Sequence, residues 1–219
     1  MFNRVLSTPL SAMPTLSYLA IRGLGEVPRL LFHYAEVEFE DKRYELKHFQ
    51  EVKQSFPNCQ VPLLEIDGHK ISQSGAIVRF LANRFGLAGK DEFERARADE
   101  IYCVVYDRVR EHFPYHVFRL FNPGQDDETL YKNHFAVSVQ KAFPFYEQLV
   151  KEANEQGGFM LKSGLSYADF IIAEHVTNYF SLDPKLKSQH PNLVAFAEKI
   201  HSVTPAIKDY VSKRPNTLV

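Results

Sequence analysis

The residues whose types and spacing could do chemistry fall into a few groups. Tyr18 closes an apolar run over 16–20 that reads as a strand. A strand-end tyrosine either packs its ring or aims its hydroxyl as a hydrogen-bond donor, and the residues alone leave both open. Gln73 and Ser74 precede Ile77, Val78, Leu81 and Phe85, which recur at helical spacing. The unpaired N–H groups of a helix start attract an anionic group there, while Ser74 could equally cap the helix. Val61-Pro62 opens the apolar stretch that runs to Ile66, and the bare sequence favours an ordinary trans proline at a strand start. Ser166 and Asp169 stand three apart just before Phe170-Ile171-Ile172, a near capping box with Asp in place of Glu or Gln, and are read as structural. Cys59 and Cys103 form neither a CxxC pair nor a disulfide framework, and Cys59 reads as a buried, inert thiol. The histidines show no HxxxH-type spacing, so no metal is expected.

The elements that must position these residues change character near Gly86. Before it, strands are expected over 16–20 and 38–44, and helices over 27–34 and 47–53. Pro28 is tolerable in the first turn of the former helix. Apolar runs flank Asp67-Gly68, the strongest short-range hairpin signal, and a helix follows from Ser74. The order βαβ then ββα implies a parallel pair extended by an antiparallel hairpin, a small mixed four-stranded sheet. After Gly89 the pattern is helical. Asp91 is a candidate N-cap for a helix over 91–113 that Pro114 should kink or end. A second long helix is expected over 128–154 despite Pro144, with Gly157-Gly158 as its stop, and another over 191–200. The fold class is therefore α/β followed by all-α. Residues 1–12 are read as an N-terminal extension, 13–86 as the α/β domain and 91–219 as the helical one.

Composition excludes several functions. The 219-residue chain carries a formal charge of −1 with scattered basic residues, which argues against binding through phosphate neutralisation; no nucleic-acid partner is expected. No stretch approaches the roughly 18 apolar residues that span a membrane. The first dozen residues hold one charge, Arg4, and lack the apolar core of a secretory signal, so a cytoplasmic location is expected.

In order and spacing, Leu16-Ser-Tyr18-Leu-Ala-Ile-Arg22-Gly-Leu-Gly-Glu26, Val61-Pro62-Leu63-Leu64-Glu65, Asp67-Gly68, Gln73-Ser74 and Ser166-Tyr-Ala-Asp169 resemble a cytosolic glutathione transferase of the sigma-like class. The resemblance covers nearly everything from Met13 onward. It implies a thioredoxin-like N-terminal domain, a helical C-terminal domain that completes a hydrophobic substrate site, and a homodimer. It also implies that Tyr18 is catalytic, donating to the thiol of bound glutathione. Free thiol has a reference pKa near 8.5, and lowering it by about two units takes roughly 2.7 kcal/mol, within reach of one charge-assisted hydrogen bond.

The same resemblance assigns the glutathione contacts. Val61 and Pro62, at a cis bond, would pair with the cysteinyl backbone. Gln73 and Ser74 would hold the γ-glutamyl carboxylate, and Asp107 would reach the γ-glutamyl amino group of the neighbouring subunit. Lys53 would approach the glycine carboxylate, with Phe49 and Gln60 beside it. Phe49 stands where the family places a donor Trp, Gln60 where vertebrate members carry Lys, and Leu24 where sigma-class enzymes carry Arg near the sulfur. Leu24 and Tyr115 are expected to line the hydrophobic site, and Arg22 is read as structural. The implied activity is conjugation of glutathione, the co-substrate, to small hydrophobic electrophiles, a detoxification chemistry that needs no metal. Alternatives are a glutathione-dependent prostanoid isomerase or peroxidase, and a non-enzymatic carrier of haem or other hydrophobic ligands or a crystallin-like structural protein.

Overall fold

A four-stranded sheet in the order β2-β1-β3-β4 organises the first part of the chain in this computed structural model, which describes residues 12–217. All but Ala12 of the expected extension over 1–12 lies outside the described residues. By contacts the chain divides into two units: the described residues up to Ala88 with Ser202–Thr217, and Gly89–His201.

In the first unit, β1 (Thr15–Leu19) pairs parallel with β2 (Glu40–Tyr44) and antiparallel with β3 (Leu63–Ile66), which pairs with β4 (His69–Ser72). The crossover from β1 to β2 runs through α1 (Glu26–Ala35), which turns off at Glu36 in the left-handed region. Between β3 and β4 the chain turns at Asp67 (φ 49°) and Gly68 (φ 77°), the two positive values a tight hairpin requires. α2 (Leu46–Val52) and α3 (Ser74–Arg84) complete the expected order. Leu16 on β1, Leu64 on β3, Leu30 and Phe32 on α1 and Ile77 on α3 are fully buried. This is the mixed sheet that the sequence implied.

The segment Ser202–Thr217 does not go with the helical unit as expected. Its helix α10 (Pro205–Lys213) buries Ile207, and Tyr210 stacks on His33 of α1 at 3.9 Å between ring centroids. Those contacts, invisible to periodicity, place it against α1.

The second unit is all helix. α4 (Glu92–Phe121) starts where expected, Asp91 accepting from the backbone N–H of Phe93 and Glu94. It does not end at Pro114. Buried His112 and Tyr115 pack on either side of the proline, and that tertiary packing carries the helix past a missing N–H. A helical turn α5 (Glu128–Leu130) and a π-helical stretch, Tyr131–Ala136, lead into α6 (Val137–Glu155), which likewise passes through Pro144. α7 (Tyr167–Leu182) is buried nearly all round, as befits a central helix, and packs on α4 and on α9 (Pro191–Ile200); α8 (Leu186–Gln189) is a short turn between them. Its start is the capping box predicted from sequence. Asp169 accepts from the Ser166 N–H and hydroxyl, both at 2.8 Å, and its other oxygen accepts from Met160 N at 2.8 Å.

Inside this unit lies a buried polar cluster that periodicity gave no reason to expect. Tyr179 Oη meets His112 Nδ1 at 3.2 Å and also Ser138 Oγ; Tyr146 Oη meets His175 Nδ1 at 2.7 Å. Burial, with the neighbouring His116 adding to it, pushes His112 down to about 3; burial also carries His175 well below the ordinary range. Both are neutral when folded and take up a proton on unfolding below about pH 6.5, so each removes about 1.4 kcal/mol of stability per pH unit of acidification. Desolvation raises Asp169 to about 6, which works in the opposite sense: its contribution is lost as pH rises through 6. Two histidines against one carboxyl give a net acid loss. Denaturant melts from pH 7 to 5 should show it, and His175→Asn should flatten the slope by about one proton.

Candidate functional site

Tyr18 stands one residue from the end of β1 and is 6% exposed. The chain then turns through Gly23–Gly25 around its ring. A Cβ at Gly25 would run into the ring, and Gly23 takes φ 39°, so both glycines are dictated by the close approach. That turn presents the Leu24 N–H, which donates to Tyr18 Oη at 3.0 Å. Among the described residues no protein acceptor takes the Tyr18 proton. Burial raises its phenol, outweighing the Leu24 hydrogen bond and the nearby Arg29 charge, so it is a neutral O–H donor at physiological pH.

The turn is held from beneath by an ion network whose centre, Arg29 and Glu26, is fully buried. Arg29 lies 5.7 Å from the Tyr18 ring centre and donates to several backbone and side-chain partners at once. Its Nη1 reaches Ile21 O at 2.8 Å and Glu26 Oε2 at 3.1 Å, its Nη2 reaches Leu19 O at 3.3 Å, and its Nε reaches Asp41 Oδ1 at 3.0 Å. Arg43 on β2 also donates to Asp41, through Nε at 2.8 Å. Sequence reasoning missed this network. The available signal was Glu26 and Arg29 three apart on a helix whose next residues, Leu30, Leu31 and Phe32, are all core. Arg22, read as structural, is buried; its Nη2 donates to Thr217 O at 3.3 Å, within the same unit.

The other positions assigned in advance are distributed as follows. The Val61-Pro62 bond is cis. Ser17 pairs with Leu63, so that bond lies just past the last pairing, at the Tyr18 end of β1. Gln73, at a strained positive φ of 73°, precedes α3, and Ser74 is the first helical residue, not the cap. Gln73 Nε2 donates to Gln60 Oε1 at 3.2 Å, which brings these two exposed side chains together. Lys53 Nζ donates to Gln50 Oε1 at 2.9 Å. Phe49 is 8% exposed against Phe56, a packing residue with no donor to offer. Leu24 is half-buried. Cys59 is half-buried as well, not fully buried as expected, and donates to Gln54 Oε1 at 3.3 Å.

Asp107 and Tyr115 belong to the second unit. Asp107 is exposed on α4. Tyr115 is 1% exposed, donates to Asp126 at 2.9 Å and accepts from Arg119 at 2.7 Å, so the structure places it in the packed interior of the helices and not on an open pocket wall. Among the described residues no group of three or more His, Cys, Asp or Glu is placed to hold a metal, and no helix is long and apolar enough to cross a membrane.

Residues 14–83 match the family model for the glutathione S-transferase N-terminal domain, and residues 112–214 match that for the C-terminal domain. The chain belongs to the glutathione S-transferase family. A relative named probable glutathione S-transferase 8 from Caenorhabditis elegans is 37% identical over 202 residues, covering 92% of this chain and 97% of that protein. The crystal structure of the glutathione S-transferase from Ascaris lumbricoides is 33% identical, with a TM-score of 0.84 over 95% of this chain and 100% of that one. A Nu-class enzyme from Haemonchus contortus is 34% identical, with a TM-score of 0.78 over 94% of this chain and 99% of that one. This transferase therefore has the enzyme family and fold expected, with similarity to nematode proteins where a sigma-like class had been read.

The Glu26–Arg29 pair makes a stability test specific. Removing one partner of a buried pair strands the other charge, so Glu26→Ala should cost about 3–5 kcal/mol in denaturant unfolding, whereas an exposed pair such as Lys213–Asp209 should contribute under about 1 kcal/mol.

Proposed function

We propose that this transferase conjugates the glutathione thiolate to small hydrophobic electrophiles, with Tyr18 as the group that stabilises the thiolate. The observation that carries the proposal is the state of the Tyr18 hydroxyl. Its oxygen already accepts the Leu24 N–H, its proton has no acceptor among the described residues, and burial keeps it on the oxygen. A hydroxyl in that state donates a hydrogen bond to a sulfur anion and remains protonated throughout. The thiol proton leaves to water, the thiolate attacks an electrophilic carbon, a C–S bond forms, and the leaving group departs with the electron pair.

On this reading Val61 offers its backbone beside the cis bond to the cysteinyl unit. Gln73 and Ser74, at the start of an 11-residue helix, receive the γ-glutamyl carboxylate. Lys53 and Gln60 attend the glycine end, with Phe49 packing beneath them. Leu24, half-buried beside the Tyr18 hydroxyl, forms apolar wall and supplies no guanidinium near the sulfur, which favours conjugation over isomerisation. Exposed Asp107 suits a homodimer in which it reaches the partner's γ-glutamyl amino group. A sigma-like mode of thiol activation, through tyrosine, is compatible with the nematode-type likeness, and a cytosolic role in detoxification belongs to the same reading.

The test is a titration of bound thiol by thiolate absorbance. Wild type should hold the midpoint about two units below the free value near 8.5, and Tyr18→Phe should return it toward that value with glutathione affinity largely kept. Binding without any depression of the midpoint in wild type would overturn the assignment of Tyr18.

A further inference from the structure

The C-terminal segment takes up bonds that the thiol site depends on. Glu26 is 0% exposed, and both its oxygens are committed. Oε2 accepts from Arg29 at 3.1 Å; Oε1 accepts from Tyr210 Oη at 2.9 Å and from Arg214 Nη1 at 2.8 Å. Tyr210 and Arg214 thus lie 184 and 188 residues along the chain from Glu26 yet supply both of the bonds to its Oε1. Tyr210 Oη also lies 3.4 Å from Arg43 Nη2, which joins it to the Asp41 side of the network. A third tie lies a few residues on, where the Arg22 backbone N–H donates to Thr217 Oγ1 at 3.3 Å and the Arg22 side chain to Thr217 O at 3.3 Å.

All three ties converge on one stretch, the turn from Leu19 to Glu26. Arg29 grips that turn from inside through the carbonyls of Leu19 and Ile21, and the turn carries the Leu24 N–H to Tyr18 Oη. A buried carboxylate stripped of two donors is left with much of its charge uncompensated. It must draw on Arg29, admit solvent or shift, and each of these alters the hold of Arg29 on the turn. The Leu24–Tyr18 bond is the far end of that chain.

We propose that Tyr210 and Arg214, on and just past α10, are positioning residues of the thiol site: through Glu26 and Arg29 they fix the turn that orients the Tyr18 hydroxyl. This rests on Tyr18 being the thiolate donor. It gives the C-terminal helix a share in the chemistry of the N-terminal fold, without contact with the reacting atoms.

The experiment is the same thiol titration, run on full-length Arg214→Met, Arg214→Lys and Tyr210→Phe, alongside wild type and Tyr18→Phe. Far-UV dichroism, melting and glutathione affinity are measured in parallel. The midpoint of bound thiol should rise by about half to one unit in Arg214→Met, less in Tyr210→Phe, and recover in Arg214→Lys. A purely structural role would lower the melting temperature and leave that midpoint in place. Unchanged midpoints in folded Arg214→Met and Tyr210→Phe overturn the proposal. If Arg214→Met does not fold, Tyr210→Phe decides alone, because it keeps the ring that stacks on His33. Should wild type itself show no depressed midpoint, it is the Tyr18 reading that has failed, and the controls separate the two failures.

Discussion

A guanidinium with no exposed surface is the constraint around which the first unit is arranged. Arg29 cannot be hydrated, so its donors must be met by protein, and meeting them dictates where three pieces of chain go. Asp41 must come from β2, Glu26 from the first turn of α1, and the Leu19 and Ile21 carbonyls from the end of β1. Those are the segments that surround Tyr18. The charge network and the tyrosine are therefore one construction. Burial makes the phenol a neutral donor, and the buried ions beneath it hold the turn that meets its oxygen.

The second unit solves a related problem with neutral groups. Its centre holds histidines and tyrosines in place of an all-apolar core, with His112 and His175 kept uncharged by burial. Tyr179 and Tyr146 each meet one ring nitrogen of these histidines, and Ser138 meets Tyr179 in turn, although His175 Nε2 remains without a partner among the described residues. Such a core binds its helices in a specific register, since a slipped helix would strand several polar atoms at once. The capping box at Ser166 and Asp169 fixes where the central helix of that core begins.

Continuity of helix through Pro114 and Pro144 shows where local signals lose. Proline removes one hydrogen bond and crowds the preceding turn, at a cost of about 3 kcal/mol or more. Buried His112, Tyr115, Phe143 and Tyr146 around the two prolines offset that cost through packing, since each large buried side chain contributes about 1.5–3 kcal/mol. Tyr115 illustrates the same competition at the level of function: its type suited a pocket wall, but Asp126 and Arg119 claim its hydroxyl and the helices bury its ring.

The sequence by itself determined the pieces whose causes are local. Alternating and helical periodicity yielded the βαβ-ββα order and the long helices. Asp67-Gly68 fixed the hairpin, Asp91 and Ser166–Asp169 fixed two helix starts, and the spacing of Tyr18, Val61-Pro62 and Gln73-Ser74 pointed to the family. What tertiary structure decided depends on residues far apart in the chain. Only three-dimensional contact could show that 202–217 joins the first unit, that Glu26 answers to Tyr210 and Arg214, or that Phe49 turns inward against Phe56. A buried charge looks like any other charge in a sequence. Its partners are chosen by the fold, because the penalty for leaving it unpaired exists only once water has been excluded.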